Sequence, residues 1–474
     1  MSKHFDLIVV GGGPAGATLA TRVAQQGHRV LLLERARFPR YQVGESLLPA
    51  TINSICALLG VTEEIKRAGF VKKAGGTFRW GQEDKQWTLN FGMSAQVGDP
   101  DAGNQVFAYQ VRRNEFDHIL LQNARKNGVD VREEHTVQDV VTEDGRVVGV
   151  QFLDDMGKEQ VANARFVADA SGHTSRVSQR VGQRTYSQFY RHVAAYCYYD
   201  NGKRLPGIES GNVLFETFDK GWLWYIPLSD TLTSVGAVLH QDNAKVLKND
   251  HEVAMRQFID ACPIIKDYLS NAHRTTQAPY DEVRIRKEFS YSNNRFWQPG
   301  ALLIGDAACF VDVLLSSGVH LATYGALLAA RSINTILKGD IDEAVCLNEF
   351  ELRYRMEFSK FYQLLIGLYD LNRDAQTYHT WLRTWIRTTH AFVLEPPELE
   401  QAGKNGLPPD PLLLERQVAY LRQLNTTALS STNGPLTMEQ VTPLPLLTGQ
   451  LQRSKDLTTW CVQSDTNESD VCQH

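Results

Sequence analysis

Six residues near the start of the chain have the types and spacing to hold a dinucleotide. Gly11-Gly12-Gly13-Pro14-Ala15-Gly16 places glycines at the three positions of a GxGxxG turn. Gly11 permits the tight turn, Gly13 lets the backbone approach a pyrophosphate, and Gly16 lets the next helix lie close to the sheet. The flanks agree with that chemistry. Asp6 to Val10 is a short apolar run of the buried parallel-strand kind. Ala15, Leu19, Val23 and Ala24 then recur at helical spacing until Gly27 stops the helix. Arg29 to Leu33 reads as a second strand, and Glu34 at its end is placed to hydrogen-bond a ribose. Further on, Gly221-Trp222-Leu223-Trp224-Tyr225-Ile226-Pro227 sets two tryptophans at alternate positions. Alone, that is ordinary packing on one face of a strand.

Composition narrows the class of protein around these groups. A chain of 474 residues suits two or three lobes rather than one simple core. Its 43% hydrophobic and 22% charged content are those of a soluble globular protein. The net charge of −5 is spread along the chain, which points away from nucleic acid and from an anionic membrane. No apolar run reaches transmembrane length, and Lys3, His4 and Asp6 lead straight into a strand rather than a signal peptide. The seven cysteines (56, 197, 262, 309, 346, 461 and 472) show no close metal spacing, so reduced thiols and a cytoplasmic location are expected.

Between the motifs, the elements interleave. Phe38 to Pro49 is a polar loop bracketed by prolines, and residues 53–69 read as a helix ending at Gly69. Residues 77–112 alternate and break often, as sheet and loops do. Phe116 to Asn127 is amphipathic and helical, and a strand around Val131 leads towards Val137. Ala164 to Gly172 is a buried strand ending in a turn, and strand-rich sequence fills roughly 187–240. A helix follows near 250–261. Ala301 to Ala308 returns to a strand meeting a turn, residues 347–370 and 411–424 read as helices, and a polar, proline-interrupted tail from Asn425 is expected to be partly disordered. A nucleotide-binding fold split by an inserted sheet domain fits this order.

At this point the chain resembles the FAD-dependent halogenases, and among them those that chlorinate phenolic rings during nonribosomal peptide assembly, the vancomycin-type glycopeptide halogenases above all. The resemblance spans roughly residues 5 to 360. It rests on FPRYQVGESLLP, GGTFRWG, YQVRRNEFD, DASG, GWLWYIPLSDTLTSVGAV, GDAACFVD and SSGVHLATY. It implies an α/β (α+β) architecture: an FAD-binding Rossmann-like domain of the flavin monooxygenase superfamily, an inserted β-sheet substrate domain and a helical C-terminal region. The expected boundaries give the FAD domain residues 1–75, 111–180 and 286–340, and the substrate sheet residues 76–110 and 181–285. The C-terminal region with its polar tail takes 341–474.

The resemblance also implies roles. Gly11, Gly13, Pro14, Ala15, Gly16 and Glu34 would hold the nucleotide, and Asp306 would contact the ribityl and pyrophosphate region. Arg113 would lie beside the cofactor, where a guanidinium can pair with phosphate. Arg40, Glu45 and Ser46 fall in the loop along the flavin, and the Val137 backbone would meet the adenine. Lys73, three places before the Thr-Phe-x-Trp run is reached, matches a lysine pointing into a tunnel between flavin and substrate, whereas Lys72 reads as solvated. Desolvation there would depress the amine's pKa. The amine would carry the halogen as a haloamine or hold hypohalous acid by a hydrogen bond. Backbone N–H groups of Ser317 and Gly318 would face the halide, as anion-binding nests do, with Gly318 and Val319 also against the flavin. Trp222, Trp224, Ile226 and Pro227 would wall the passage.

The activity so implied uses reduced FAD (FADH2) from a separate flavin reductase, O2, and chloride or bromide to halogenate a tyrosine-derived ring, carried on a peptidyl carrier protein. No metal is implied. Halogenases acting on free tryptophan have a glutamate just before the halide turn, where this chain has Leu315, so no general base is named; His320 is a candidate that reads equally as a structural histidine. The family's DPVFSSG is here Asp312-Val313-Leu314-Leu315-Ser316-Ser317-Gly318, without the proline that fixes φ. The family's aromatic-rich stretch is replaced by Leu368 to Asp374. A flavin-dependent hydroxylase and an inactive flavoprotein scaffold are the two other classes left open.

Overall fold

The apolar run before the glycine turn becomes the strand His4–Val10 at the centre of a parallel sheet. Glu159–Asp169 pairs with it on one side and Val30–Leu33 on the other. All four residues of Val30–Leu33 are buried, as expected for a strand covered on both faces. Ala301–Leu303 and Asp130–Arg132 extend the sheet in parallel, and Trp297–Gln298 closes one edge antiparallel. The hairpin of Thr136–Glu143 and Arg146–Leu153 runs off the Glu159–Asp169 strand. This computed structural model describes residues 4–370 and 451–462, apart from 82–85, 92–105, 176, 188–189, 249, 288–289 and 455–456.

The helix Pro14–Ala24 begins with proline at its first turn, where a missing N–H costs nothing. Gly16 is required by close approach, since a Cβ there would stand 1.9 Å from the Gly11 carbonyl oxygen. The long helix Ser317–Lys338 packs against this first helix and is itself covered by Glu343–Asp370.

A second eight-stranded sheet faces the first. Its main run orders His192–Asp200, Leu232–His240, Gly221–Pro227, Val213–Phe218, Gly75–Arg79 and Trp87–Asn90. The pairings are antiparallel except between Val213–Phe218 and Gly75–Arg79. Two-residue alternation splits its side chains between two cores. Trp222, Trp224 and Ile226 join the large core shared with the parallel sheet, while Leu223 and Tyr225 pack with Met255, Phe258 and Ile265 on the other face. Asp250 caps the helix His251–Asp260 by accepting from the N–H groups of Glu252 and Val253.

Several expectations change. The helix read over 53–69 is two pieces, a π-helical turn Thr51–Cys56 and the helix Thr62–Arg67, whose first turn carries Glu63 and Glu64. Acids there favour a fresh start, because they suit the positive end of the helix dipole. The helix expected at 411–424 lies outside the described residues. Cys56, Cys197, Cys262, Cys309 and Cys346 are buried free thiols, but Cys461 is disulfide-bonded, against the expectation of a fully reduced set. No helix among the described residues is long and apolar enough to cross a membrane.

Part of the polar tail is ordered. Leu451–Arg453 and Trp460–Val462 pair as a hairpin, because Trp460 finds a place on the Ser317–Lys338 helix. Its indole donates to Ser332 Oγ at 2.8 Å, its backbone N–H donates to Thr335 Oγ1 at 2.7 Å, and the Arg331 and Arg353 guanidinium groups sit over its ring. Trp460→Ala is expected to cost about 3 kcal/mol of unfolding free energy, measured by urea denaturation.

Candidate functional site

The carboxyl ends of the parallel strands open onto a cavity of about 530 Å³ bounded on its far side by the second sheet. That is where ligands sit in open α/β sheets. Gly11, Gly13, Pro14 and Ala15 line it as expected, while Gly16 lies behind them as a packing residue. Glu34 also lines it, with its carboxylate accepting from Gly12 N at 2.6 Å and from Ala36 N at 2.8 Å. The acid thus holds the glycine turn in shape at the position where a ribose would be bound. Val137 and Asp306 also line the cavity. Burial raises the Asp306 carboxyl against the opposing pull of Arg286, Arg113 and Arg184.

Two of the expected cofactor-side arginines meet at Asp117. Arg113 grips Asp117 through Nε at 2.7 Å and Nη2 at 3.0 Å, and donates from Nη1 to the Val43 and Gly44 carbonyls. Its hydrogen bonds pin the 38–49 loop onto the helix Arg113–Lys126, and the residue also lines the cavity. Arg40 takes the place suited to phosphate. It shares Asp117 at 2.9 Å, and its Nη2 lies 3.4 Å from the Cβ position of Gly13. A guanidinium beside the glycine turn, with helix N–H groups facing the same space, fits the pyrophosphate of a dinucleotide such as FAD.

Lys73 and not Lys72 goes inward: Lys72 is exposed, and Lys73 is 4% exposed. Strand alternation across Val71–Lys73 decides this. The Lys73 amine donates to Ser46 Oγ at 2.8 Å, the Leu47 carbonyl at 3.2 Å and Ser316 Oγ at 3.3 Å, and stands 5.3 Å from the centre of the Phe91 ring. Among the described residues no carboxylate pairs with it. Burial alone pulls its pKa from 10.5 down to about 7. Ser46 and Ser316 both line the cavity, so the amine sits directly behind its wall.

Ser316 adopts the left-handed conformation (φ 57°) and starts the helix Ser317–Lys338. Left-handed backbone before a helix aims successive N–H groups at one point, the geometry of an anion nest. Ser317, Gly318 and Val319 contribute the first-turn N–H groups, which have no partner within the helix, and all three line the cavity. Ser317 Oγ is buried without a protein hydrogen-bond partner, as befits a place kept for a ligand. The lost proline of the preceding turn is offset by Asp312, whose Oδ1 accepts from Leu314 N at 2.9 Å.

Asp312 is also a hub that sequence spacing gave no sign of. It accepts from Tyr369 Oη at 3.1 Å and pairs with His192 Nδ1 at 3.0 Å, while Trp222 Nε1 donates to Tyr369 Oη at 2.9 Å. Of the four expected wall residues, Trp222, Trp224 and Ile226 line the cavity. Pro227 does not, because the pleat turns it to the face of Leu223 and Tyr225. Gly236 fixes Trp224 from below: a Cβ there would stand 2.2 Å from the indole. Leu315 is buried and apolar, so no carboxylate stands before the halide turn. His320 is fully buried with Nε2 2.8 Å from Glu357 Oε1, which is the structural reading of that residue.

A cavity at the ends of a parallel sheet, shaped by a glycine turn and faced by a tryptophan-bearing sheet over a buried amine, defines a flavin-dependent enzyme. The chain belongs to the tryptophan halogenase family, whose profile matches residues 6–102 and 98–391. A tryptophan 2-halogenase of Chondromyces crocatus is 34% identical over 383 residues, covering 80% of this chain and 70% of the relative. Flavin-dependent halogenase armH4 of Armillaria mellea is 32% identical, with 79% and 73% covered. The structure of the myxobacterial chondrochloren halogenase CndH, a variant FAD-dependent halogenase, aligns at TM-score 0.78 and 49% identity, covering 97% of this chain and all of that one. That of CmlS, a flavin-dependent halogenase, aligns at TM-score 0.71 and 34% identity, with 81% and 67% covered. The protein is a flavin-dependent halogenase with the mixed α/β fold of those structures. These relatives do not single out the glycopeptide type of the sequence resemblance.

The lysine makes a pH prediction. Its folded pKa lies below its ordinary value, so folding carries a penalty in full below about pH 7 that fades as pH rises to 10.5. Lys73→Met is therefore expected to melt higher than the parent at neutral pH, with the gap closing by about pH 10, followed by differential scanning fluorimetry across that range.

Proposed function

We infer that the enzyme makes hypohalous acid from chloride or bromide with O2 and FADH2 supplied by a separate reductase. It then halogenates a phenolic, tyrosine-derived ring held on a peptidyl carrier protein in nonribosomal peptide biosynthesis. The observation that carries this reading is Lys73: a buried amine with a pKa of about 7, held by neutral oxygens behind the cavity wall. FAD, when bound, supplies the reducing equivalents that activate dioxygen. The chain's own residues do the rest. The N–H groups of Ser317 and Gly318 hold the halide, and Trp222, Trp224 and Ile226 keep water and substrate apart from the cofactor. Lys73 in its protonated form donates a hydrogen bond to hypohalous acid, and in its neutral form takes the halogen on nitrogen, so a pKa near 7 keeps both available.

The phenolic preference is supported by Leu315. A carboxylate at that place would serve a ring with no activating oxygen, whereas a phenol oxygen already activates its ortho carbon. The tryptophan 2-halogenase relative favours an indole instead, so both rings belong in the assay. The purified protein is incubated with FAD, NADH, a flavin reductase, chloride or bromide, and either a carrier-loaded tyrosyl peptide or tryptophan, with products read by mass spectrometry. Expected is a halogen isotope pattern on the tyrosyl ring, falling at least about 100-fold in Lys73→Ala while FAD still binds. Halogenated tryptophan would overturn the phenolic reading. Added oxygen without halogen, or NADH oxidation without the reductase, would mark a hydroxylase, and bound FAD without turnover would mark a scaffold.

A further inference from the structure

Making hypohalous acid consumes a proton, a requirement separate from the halogen-carrying role inferred for Lys73. Reduced flavin gives dioxygen two electrons and two protons, and the halide gives two more electrons. One oxygen leaves on the halogen as HOX and the other leaves as water. The hydrogens and charge balance only if one further proton enters for each halide oxidised. Without that proton, the same reduced flavin and dioxygen still balance as hydrogen peroxide.

The cavity wall holds a chain of groups suited to supply it. Glu45 lines the cavity and is 3% exposed. Tyr198 Oη donates to its Oε1 at 2.7 Å, and Ser234 is hydrogen-bonded to the same carboxyl. The Tyr41 and Tyr198 hydroxyls lie 2.6 Å apart, and either can donate to the other. Tyr41 is half-buried at the cavity rim, with Tyr280 edge-on and the Arg284 guanidinium 4.3 Å from its ring centre. A continuous hydrogen-bonded path thus joins Tyr41 to the buried Glu45 carboxyl. On the inner side Ser234 Oγ accepts from Trp224 Nε1 at 3.2 Å, which ties the carboxyl to the tryptophan wall.

We propose that Glu45 donates the proton consumed in halide oxidation and is reprotonated from solvent through Tyr41 and Tyr198. This rests on the halogenase reading. The groups that face Glu45 are Tyr41 from its own loop, Tyr196 and Tyr198 from the His192–Asp200 strand, Ser234 from the next strand, Tyr280, and Arg113. Arg113 is the cation among them, and its charge is taken up by Asp117. Burial therefore wins over the hydrogen bonds and over Arg113, and pushes the Glu45 carboxyl up to about 7. An acid at that value both holds a proton and releases it near neutral pH.

Glu45→Gln and Tyr198→Phe test this in two measurements. Infrared spectra of the protein without turnover, titrated from about pH 5 to 9, should show a buried carboxylic-acid band fading near pH 7. The band should be absent from Glu45→Gln and kept in Tyr198→Phe. With reduced FAD, bromide and a β-diketone trap, the parent should yield mainly trapped hypobromous acid. Glu45→Gln should lower the ratio of hypobromous acid to hydrogen peroxide about 100-fold and abolish its dependence on pH. Tyr198→Phe should lower the ratio about 10-fold while FAD affinity, read by flavin fluorescence, stays unchanged. An unchanged ratio and pH profile in Glu45→Gln, or no band in the parent, overturns the proposal. Should Glu45→Gln fail to fold, an unchanged ratio in Tyr198→Phe overturns it. A parent that yields peroxide and no hypobromous acid overturns the halogenase reading together with this inference, whereas a loss confined to the variants supports both.

Discussion

An ammonium group loses its water shell when it is buried, and among the described residues Lys73 recovers three neutral oxygens in exchange. A carboxylate beside it would have been the easier way to fold the chain, and would have kept the amine permanently charged. Leaving it without one is what brings the group near neutrality at pH 7. The surrounding architecture follows from keeping that amine buried but adjacent to the cavity. Ser46 comes from the loop pinned by Arg113 and Asp117, Ser316 comes from the left-handed turn that starts the long helix, and Phe91 closes the apolar side.

The same loop and turn also shape the two ends of the chemistry. The segment carrying Ser46 carries Glu45 next to it, so one stretch presents an amine's partner and a protonatable acid to the same cavity. The turn carrying Ser316 aims the Ser317 and Gly318 amides into the cavity one residue later. Asp312 stiffens this turn in place of a proline, through a hydrogen bond to Leu314 N and a link by Tyr369 to Trp222. A change at Tyr369 would thus be felt at Trp222 in the cavity wall.

Much of the fold was legible because local physics repeats. The glycine turn, its flanking strands and the returning Gly305-Asp306 strand end all lie where their apolar runs and spacing place them. So does the inward turn of Trp222, Trp224 and Ile226, which pleat alternation requires. Where pattern reading failed, two influences of equal local weight competed. Residues 53–69 have helical spacing throughout, yet Thr62-Glu63-Glu64 offers a better helix start than a continuation. The tail reads as polar, yet Trp460 and Leu451 bury enough apolar area to dock a hairpin.

By itself the sequence determined the nucleotide turn, the buried strands, the alternation of the tryptophan wall and the kinship that singled out Lys73, because each depends on residues close in the chain. Tertiary structure decided that Arg113 and Arg40 share Asp117, with Arg113 also held by two loop carbonyls and Arg40 carried to Gly13. It also decided that Tyr41, Tyr198 and Ser234 meet Glu45, and that His192, Tyr369 and Trp222 converge about Asp312. Tyr198 lies 153 residues from Glu45 and His192 lies 120 from Asp312, and the fields and burial that set a pKa depend on that convergence rather than on any local pattern.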